Sequence, residues 1–454
     1  MLIKNLLYIL QSDNYEIDRF LKYVYTHFKW WQLQQRQKLT WTKKSISIYI
    51  VSISIYLLIL LALFFSIKFW SILFLIILLP FLPLIIVVSL LLLTPLDYYF
   101  KKQIVDRAKG VINGSKAVAI GITGSYGKTS TKEILAKILE EKYSVVKTPG
   151  NINTDIGISE FIIKSKDAIR DAQILIVEMG AYKRGEIKKI CNIVKPAYSI
   201  LTGINESHLE KFGSLKNTIA AKFELPENTK NLSVINLEDK NIADNYQQFK
   251  IRNLITADNT RISNVVFKDN FAGINFTIDR DEFSTKLLGA HNATLILMCI
   301  EIAKLLNVDS VKIKEGVDKI KPFEHRLEPI YNSNTNVWVL DDSYNGNFNG
   351  ITSGLEVLNR AVGRKVVLTP GLVEQGNAVE AIHKKIGELY SKNVDLVLLV
   401  KNNVTQYIAT SLKENNFLNF KIYDSTQEAH ADLANVLKPG DTIIFQNDWP
   451  DNYF

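Results

Sequence analysis

Cysteine is scarce in this chain, which has 2 cysteines among 454 residues. Cys191 and Cys299 are too few for a disulfide framework, and they do not have the spacing of a metal-binding pair. Internal repeats and low-complexity tracts are also lacking outside one apolar segment near the N-terminus. A chain of this length has room for two or three domains, each of which can bury its own core.

Clusters of basic residues are also lacking, although the formal net charge is +8. The lysines and arginines are spread along the sequence, and many of them flank the apolar segment. A surface that binds nucleic acid needs a concentrated basic patch, so we do not expect nucleic acid as a partner. The charge instead favours membrane orientation and small anionic substrates.

Charge is absent from residues 45–67 and 69–94, two stretches that only Lys68 separates. Each exceeds the roughly 20 residues that cross a bilayer. Basic residues lie before the first stretch and after the second: Lys29, Arg36, Lys38, Lys43, Lys44, Lys101, Lys102, Arg107 and Lys109. The positive-inside rule then predicts a two-span hairpin at residues 45–95 in a cell membrane, with the lipid bilayer as a partner, both ends cytoplasmic, and a cytoplasmic segment at 1–44. The alternative is a pair of buried helices in a soluble domain.

The segment AVAIGITGSYGKTST, residues 117–131, has the form of a phosphate-binding loop. An apolar run at 117–122 leads into a glycine-rich turn, and a helical pattern follows at 131–141. In such a turn, backbone N–H groups and the helix dipole hold a polyphosphate, Lys128 neutralises its charge, and the Thr129 hydroxyl binds Mg²⁺. The alternative is a chance glycine turn before a helix. The predicted nucleotide-binding residues of this loop are Gly124, Ser125, Gly127, Lys128, Thr129 and Ser130.

Short apolar runs alternate with helical patterns over the rest of the chain, and this alternation predicts an α/β fold. A central P-loop-type ATPase domain with a largely parallel sheet is expected at 110–322, with a hairpin at 265–277 and a long helix at 293–306. A smaller, Rossmann-like α/β domain is expected at 323–454. The predicted strands are 117–122, 174–178, 198–202, 233–236, 253–256, 337–340, 365–368, 396–400, 421–423 and 442–445.

Four polar segments follow predicted strands. The first segment contains Asn151, Asn153 and Thr154, and the second contains Glu178 at the end of its strand. The third contains His208, and the fourth is the sequence DDSYNGN at 341–347. Taken singly, each has an ordinary alternative: a solvated carboxylate, a structural histidine or a turn. In open α/β sheets, however, ligands bind beyond the carboxyl ends of the strands, so together the four segments predict a ligand and metal site.

The set TGSYGKTSTK, TPGNINTDIGI, VEMGAYKRGEI, HLEKFGS with AAKFE, GAHNA and DDSYNGN resembles the Mur ligase family. The resemblance extends from residue 116 to the C-terminus. It implies an ATP-dependent amide ligase of peptidoglycan and cell-wall synthesis, and hence of cell shape and cell division. Such a ligase activates a muropeptide carboxylate as an acyl phosphate, which an amine such as D-alanyl-D-alanine then attacks.

The same resemblance implies roles for individual residues. Lys128 and Thr129 would hold the ATP phosphates and one Mg²⁺, Glu178 would bind that metal, and His208 would bind a second Mg²⁺. Lys222 would be carbamylated, and with Lys128, Glu178 and His208 it makes up the implied catalytic set. The remaining residues would contact ligands: Asn292 the adenine; Arg326, Asp342, Tyr344 and Asn345 the nucleotide from the second domain; Asn151, Asn153 and Thr154 the muropeptide.

Other readings of the sequence remain open at this point. Soluble relatives carry an N-terminal domain that holds the uridine diphosphate of the substrate, whereas this chain has residues 1–44 and the apolar hairpin in that place. The acceptor is therefore either a UDP-linked muropeptide or a different one, lipid-linked or a polyamino acid. A nucleotide-binding scaffold that recruits other cell-wall enzymes is a third reading, which the presence of the implied catalytic set disfavours. A transport ATPase is disfavoured because two spans are few.

Overall fold

The computed structural model describes residues 2–13, 15–26, 39–67, 79–150, 152–206, 209–344, 346–372 and 375–447. Cα proximity divides the chain into two units, residues 1–104 and 105–453. We call them the N-terminal unit and the ligase unit and describe each by itself. Residues 69–78, the first part of the second predicted span, lie outside the described residues.

The N-terminal unit is helical. Helices α1 (Leu2–Ser12), α2 (Ile17–Thr26) and α3 (Lys43–Ile67) are followed by a 3₁₀ turn, Leu79–Phe81, and by α4 (Leu82–Gly114), whose residues after 104 belong to the ligase unit. Among the described residues, α3 and α4 are the two helices that are long and apolar enough to cross a membrane. Helix α4 continues well past residue 94, where the apolar run ends, and it includes Pro95 within its length.

Apolar residues of all four helices form the core of the N-terminal unit, with Leu6, Leu7 and Phe20 packed in one cluster with Ile48 and Ile86. Polar contacts tie the elements together. The Ser52 hydroxyl donates to that of Ser89 at 2.9 Å, and Asp97 pairs with both Lys44 and Lys101. Residues 2–26, whose role the sequence leaves unassigned, therefore pack against the hairpin.

The central sheet of the ligase unit is parallel and has the strand order β2-β3-β1-β4-β5-β6. Its strands are β1 (Val118–Thr123), β2 (Val145–Lys147), β3 (Ile174–Glu178), β4 (Tyr198–Leu201), β5 (Leu232–Asn236) and β6 (Leu254–Ala257). Ile122 of β1 is in register with Glu178 of β3. Since the strands are parallel, their carboxyl ends lie at one edge, and the turn after β1 adjoins Glu178.

Helices cover both faces of this sheet, which explains why its strands are nearly continuous apolar runs. One core cluster joins Ile120 and Ile176 to α5 and α12, and another joins Val177 to α8 and α10. The helices are α5 (Lys128–Glu140), α6 (Asp155–Lys164), α7 (Lys166–Asp171), α8 (Glu186–Val194), α9 (Leu209–Phe212), α10 (Leu215–Glu227), α11 (Lys240–Ala243), α12 (His291–Leu305) and α13 (Ser310–Asp318). The hairpin predicted at 265–277 is a three-stranded antiparallel sheet: β7 (Ile262–Phe267), β8 (Ile274–Ile278) and β9 (Asp281–Thr285).

A second sheet occupies the C-terminal part and has the order β10-β11-β15-β12-β13-β14. Its strands are β10 (Glu328–Asn332), β11 (Val337–Asp342), β12 (Lys365–Thr369), β13 (Leu396–Val400), β14 (Phe420–Tyr423) and β15 (Thr442–Gln446). Strand β10 is an antiparallel edge strand, and the other five are parallel. Four helices flank the sheet: α14 (Phe348–Leu358), α15 (Val379–Asn393), α16 (Thr405–Glu414) and α17 (Thr426–Val436).

Candidate active site

The turn between β1 and α5 is a compact loop that two glycines make possible. Gly127 has a φ of +75°, a left-handed conformation that favours glycine, and it directly precedes α5. A Cβ at Gly124 would lie 2.1 Å from Thr202 Oγ1. Lys128 Nζ donates to the carbonyl oxygens of Gly124 at 2.9 Å and Ser125 at 3.2 Å. The ammonium therefore lies over the loop, at the amino end of α5, where an anion binds favourably.

Glu178 stands beside this loop at the end of β3. Its carboxylate oxygen Oε2 accepts a hydrogen bond from Thr129 Oγ1 at 2.9 Å, and Oε1 accepts one from Asn153 Nδ2 at 3.2 Å. Burial lowers the pKa of Lys128, the Glu178 carboxylate opposes that shift, and Arg326 adds to it. Lys128, Thr129 and Glu178 thus form one electrostatic group.

The donor set at this position fits Mg²⁺. A hydroxyl and a carboxylate oxygen are hard ligands, which Mg²⁺ prefers, and the buried Ser125 Oγ has no hydrogen-bond partner among the described residues. The described residues contain no group of three or more His, Cys, Asp or Glu side chains placed to hold a metal. Mg²⁺ does not need one, because it is usually held by one or two carboxylates together with phosphate oxygens and water.

A cleft opens next to the phosphate loop. The sequence-predicted residues that line it are Gly124, Ser125, Lys128, Asn153, Thr154 and Lys222. Thr154 also begins α6, where its hydroxyl accepts a hydrogen bond from the backbone N–H of Gly157. The structure therefore brings the predicted nucleotide and muropeptide residues to one cavity.

Lys222 lies on α10 and is almost completely buried, 3 % exposed. Its Nζ is 3.5 Å from the carbonyl oxygen of Ala181. Burial and the charge of Lys128 lower the pKa of Lys222 to about 7, against the opposing effect of Glu186 and Glu224. A large fraction of this amine is consequently neutral, and nucleophilic, at neutral pH.

The C-terminal sheet contributes side chains to the same region. The Arg326 guanidinium stacks on the ring of Tyr344 at 4.4 Å. Burial lowers the pKa of Arg326, and the charges of Glu178 and Asp342 are among those that oppose the shift. Burial raises the pKa of Asp342 to about 7, and Arg326 opposes that shift. Arg326 therefore connects the second sheet electrostatically to Glu178.

One predicted residue lies apart from this group, and three others are not described. Asn292 lies on α12, and its amide donates to the carbonyl oxygens of Leu288 and Gly289, so that its Oδ1 is the atom left for a ligand. Asn151, His208 and Asn345 lie outside the described residues.

Sequence reasoning missed two contributors. Lys132 Nζ is 3.3 Å from Glu178 Oε2, and its position four residues after Lys128, on the same helix face, was a usable signal. Asp239 accepts a hydrogen bond of 2.6 Å from the hydroxyl of Tyr126 in the phosphate loop. Those two residues are 113 positions apart in sequence, and no local pattern connects them.

Comparisons with known proteins agree with this geometry. The Mur ligase middle domain matches residues 122–303, and the Mur ligase glutamate ligase domain matches residues 325–446. The UDP-N-acetylmuramoyl-tripeptide–D-alanyl-D-alanine ligase of Escherichia coli is 30% identical over 339 residues, which are 69% of this chain and 72% of the relative. The protein of the same name from Synechocystis sp. is 27% identical over 335 residues, 72% of this chain and 71% of the relative.

Solved structures show the same fold. The MurF ligase of Thermotoga maritima in complex with ADP superimposes with a TM-score of 0.66 at 23% identity, covering 77% of this chain and 80% of that one. MurF from Acinetobacter baumannii gives a TM-score of 0.67 at 20% identity, covering 77% of each chain. The two matched domains account for most of the ligase unit. The chain therefore belongs to the Mur ligase family of ATP-dependent ligases.

Proposed function

We propose that this protein joins D-alanyl-D-alanine to the free carboxylate of a UDP-N-acetylmuramoyl-tripeptide, using ATP. The observation that carries the proposal is the convergence of Lys128, Thr129 and Glu178 beside a cleft that Asn153 and Lys222 also line. The names of the relatives supply the two substrates. ATP and Mg²⁺ are the cofactors that the phosphate loop and its hard oxygen ligands fit.

The reaction has two steps. An oxygen of the acceptor carboxylate attacks the γ-phosphorus of ATP, the bond from that phosphorus to the bridging oxygen breaks, and ADP leaves. The amine of D-alanyl-D-alanine then attacks the acyl carbon, the bond from that carbon to the phosphate oxygen breaks, and inorganic phosphate leaves while the amine loses a proton. Phosphoryl transfer needs mainly positioning and charge neutralisation, and bound Mg²⁺ supplies charge neutralisation at the phosphates.

The chain's own residues divide this work. Lys128 and the backbone of Gly124, Ser125, Gly127, Thr129 and Ser130 hold the phosphates, and the Thr129 hydroxyl and Glu178 hold Mg²⁺. His208 holds a second Mg²⁺. The residues that complete the ligand contacts are Asn292 at the adenine, Arg326, Asp342, Tyr344 and Asn345 at the nucleotide, and Asn151, Asn153 and Thr154 at the acceptor. Because an acyl phosphate hydrolyses in water, the approach of Arg326 to Glu178 serves to cover the site.

Lys222 is carbamylated in this proposal. Its neutral amine attacks the carbon of CO₂, a nitrogen–carbon bond forms, one carbon–oxygen π bond breaks, and a proton leaves the nitrogen. The product is an anion, which can orient a magnesium ligand where an ammonium would repel it. Burial beside Lys128, which lowers the pKa of Lys222 to about 7, supports the reaction because only the neutral amine reacts.

We place the ATP-binding domain at residues 110–322 and the C-terminal domain at residues 323–454. The family matches at residues 122–303 and 325–446 support these bounds. Residues 45–95 form a two-span membrane hairpin, which places the ligase unit on the cytoplasmic side beside other cell-wall enzymes. The apolar character of α3 and α4 supports the hairpin, although buried core helices of soluble proteins share it.

A second acceptor class is a lipid-linked muropeptide, which the apolar helices α3 and α4 favour. The experiment that tests the proposal is an assay with ATP, Mg²⁺ and D-alanyl-D-alanine, in which the purified full chain receives either UDP-N-acetylmuramoyl-tripeptide or a lipid-linked tripeptide in detergent. Phosphate release with formation of the UDP-linked pentapeptide is expected. Phosphate release with the lipid-linked acceptor alone would show that the lipid-linked tripeptide is the acceptor. Phosphate release with neither acceptor overturns the ligase proposal.

A further inference from the structure

Lys132 is a charged residue of α5 to which the proposed reaction gives no part. It lies about one helical turn after Lys128, and it is 0 % exposed. A lysine ammonium is buried at this depth only when partners compensate its lost hydration. The partners of Lys132 come from the loop after β2, from the end of β3 and from α5 itself.

The ammonium makes two short contacts to two different elements. Its Nζ donates to the carbonyl oxygen of Gly150 at 2.6 Å, in the loop after β2, and it lies 3.3 Å from Glu178 Oε2 at the end of β3. A third oxygen, the carboxylate Oε1 of Glu133, is 3.8 Å away. Glu133 also pairs with Lys147, so it is not dedicated to Lys132.

Glu178 is held on several sides, and Lys132 supplies the only fully buried cation among the contacts given above. Oε2 accepts hydrogen bonds from Thr129 Oγ1 and from Lys132 Nζ, and Oε1 accepts one from Asn153 Nδ2. A carboxylate offers about four lone-pair sites. With Lys132 on one of them, the carboxylate keeps a fixed rotation and presents its remaining lone pairs toward Thr129, where we place Mg²⁺.

Gly150 begins the loop that carries the proposed acceptor contacts. Its φ of +50° is in the left-handed region that favours glycine. Farther along the loop, the carbonyl oxygen of Asn153 accepts from Gly180 N at 2.7 Å, and the Asn153 amide reaches Glu178. Gly150 through Lys132 and Asn153 directly attach this part of the loop to the Glu178 strand, beyond Thr148, whose hydroxyl accepts from the Glu178 N–H at 3.1 Å.

We infer that Lys132 is a positioning residue that couples the acceptor loop, at Gly150 and residues 152–154, to the magnesium-binding carboxylate of Glu178. This inference rests on the proposed function, because it takes that loop as the acceptor site. Lys132 is not among the residues that line the cleft, and its effect on acceptor and metal is exerted through Gly150 and Glu178.

The test compares Lys132→Met, which keeps the length of the side chain and removes its charge, with Lys137→Met. Lys137 lies on the same helix, is exposed, and pairs with Glu140 at 2.7 Å. Calorimetry without turnover measures two quantities. The first is the affinity for UDP-N-acetylmuramoyl-tripeptide without nucleotide or Mg²⁺, and the second is the increase in ADP affinity on addition of Mg²⁺. Lys132→Met is expected to weaken the first and to reduce the second, each by about 10- to 100-fold, the range for residues that orient metal ligands.

The affinity for ADP without Mg²⁺ stays unchanged in both variants if the phosphate loop is intact, and Lys137→Met leaves all three values unchanged. A loss of acceptor affinity without a loss of the Mg²⁺ effect, or the reverse, overturns the coupling. Should Lys132→Met fail to fold, Lys132→Met/Glu178→Gln removes both buried charges, a change that proteins often tolerate. The acceptor affinity of this double variant is then compared with that of the single variant Glu178→Gln. Equal affinities overturn the inference, and an affinity about 10-fold weaker in the double variant supports it.

The proposed function and this inference fail in different ways. If the wild-type protein does not bind the UDP-linked acceptor, the proposed function fails. The Mg²⁺-dependent affinity for ADP needs no acceptor, and an unchanged Mg²⁺ effect in Lys132→Met then overturns the role of Lys132 as well.

Discussion

The two units of this chain differ in where large apolar side chains are exposed. In the N-terminal unit the buried Ser52 and Ser89 bond to each other, while Leu58 is 64% exposed. In the ligase unit the apolar side chains form the cores, and the buried charges Lys132 and Glu178 pair with each other at the end of β3. A helix that is apolar on its exposed face needs an apolar surrounding. The comparison indicates that exposed large apolar side chains are concentrated on α3 and α4, as expected of helices that face lipid, whereas they are scattered in the ligase unit.

Among the variants of the ligase unit, removal of Lys128 is expected to cause the largest loss of ligase activity. Its ammonium contacts only carbonyl oxygens of its own loop, at Gly124 and Ser125, so the fold does not depend on it. Lys128→Ala is expected to lower ligation by at least about 10³-fold, as removal of a preorganised charge stabiliser does. Phosphate release measures the loss, and thermal unfolding checks the fold. Lys116→Ala, at an exposed lysine before β1, is the control, and substantial turnover in Lys128→Ala would contradict the site.

A pair of exposed leucines tests the comparison between the units directly. Leu58 of α3 and Leu418 of the ligase unit are 64% and 78% exposed. An aspartate in the middle of a membrane span costs about 3 kcal/mol, whereas an exposed substitution in water is nearly neutral. Leu58→Asp is expected to reduce the membrane-bound fraction after alkaline extraction, and Leu418→Asp to leave it unchanged. Equal behaviour of the two variants would mean that α3 does not face lipid.

Carbamylation of Lys222 predicts dependence on pH and on CO₂. Since burial and Lys128 lower the pKa of Lys222 to about 7, the neutral fraction rises from roughly one tenth to nine tenths between about pH 6 and pH 8. At a fixed CO₂ pressure, the ¹³C carbamate signal from labelled CO₂ is expected to rise in the same direction. Lys222→Met abolishes the signal, and Lys216→Met, at an exposed position on the same helix, keeps it. A signal that falls as the pH rises would contradict a neutral attacking amine.

The hydrogen bond between Ser52 and Ser89 gives the smallest expected effect. Bonds between helices in membranes contribute about 0.6 kcal/mol on average, so Ser52→Ala should destabilise the hairpin by about that amount. A double-mutant cycle with Ser89→Ala, measured by unfolding in detergent, isolates the pair. Ser54→Ala, at an exposed serine of the same helix, is the control, and additive single effects would show that the bond contributes nothing.

The sequence predicted much of the ligase unit because its parallel strands are short apolar runs between helices. The run at 174–178 is β3, Ile174–Glu178, and all five strands expected in the C-terminal part are present within two residues. Strand β2, Val145–Lys147, was expected before the polar loop but without bounds, because three residues make no pattern. Strand β10 was missed because Pro329 reads as a break, although proline is tolerated in an edge strand.

The candidate site likewise has features that the sequence predicted and features that it did not. The proximity of Thr129 to Glu178 was expected, since both follow neighbouring parallel strands. The buried state of Lys132 and Lys222 was not expected, because burial depends on packing between α5, α10 and the sheet, which no local spacing reveals. The bond from Tyr126 to Asp239 belongs to the same class of long-range contact.

Ligation itself tests the central claim most directly. The full-length protein, ATP, Mg²⁺, D-alanyl-D-alanine and UDP-N-acetylmuramoyl-tripeptide are incubated, and the UDP-linked product is weighed by mass spectrometry. We predict the pentapeptide product with one ADP and one phosphate for each bond formed, and no product with Lys128→Ala. Tight binding of ADP without any product, from either the UDP-linked or the lipid-linked acceptor, would contradict a ligase centred on Lys128, Thr129 and Glu178.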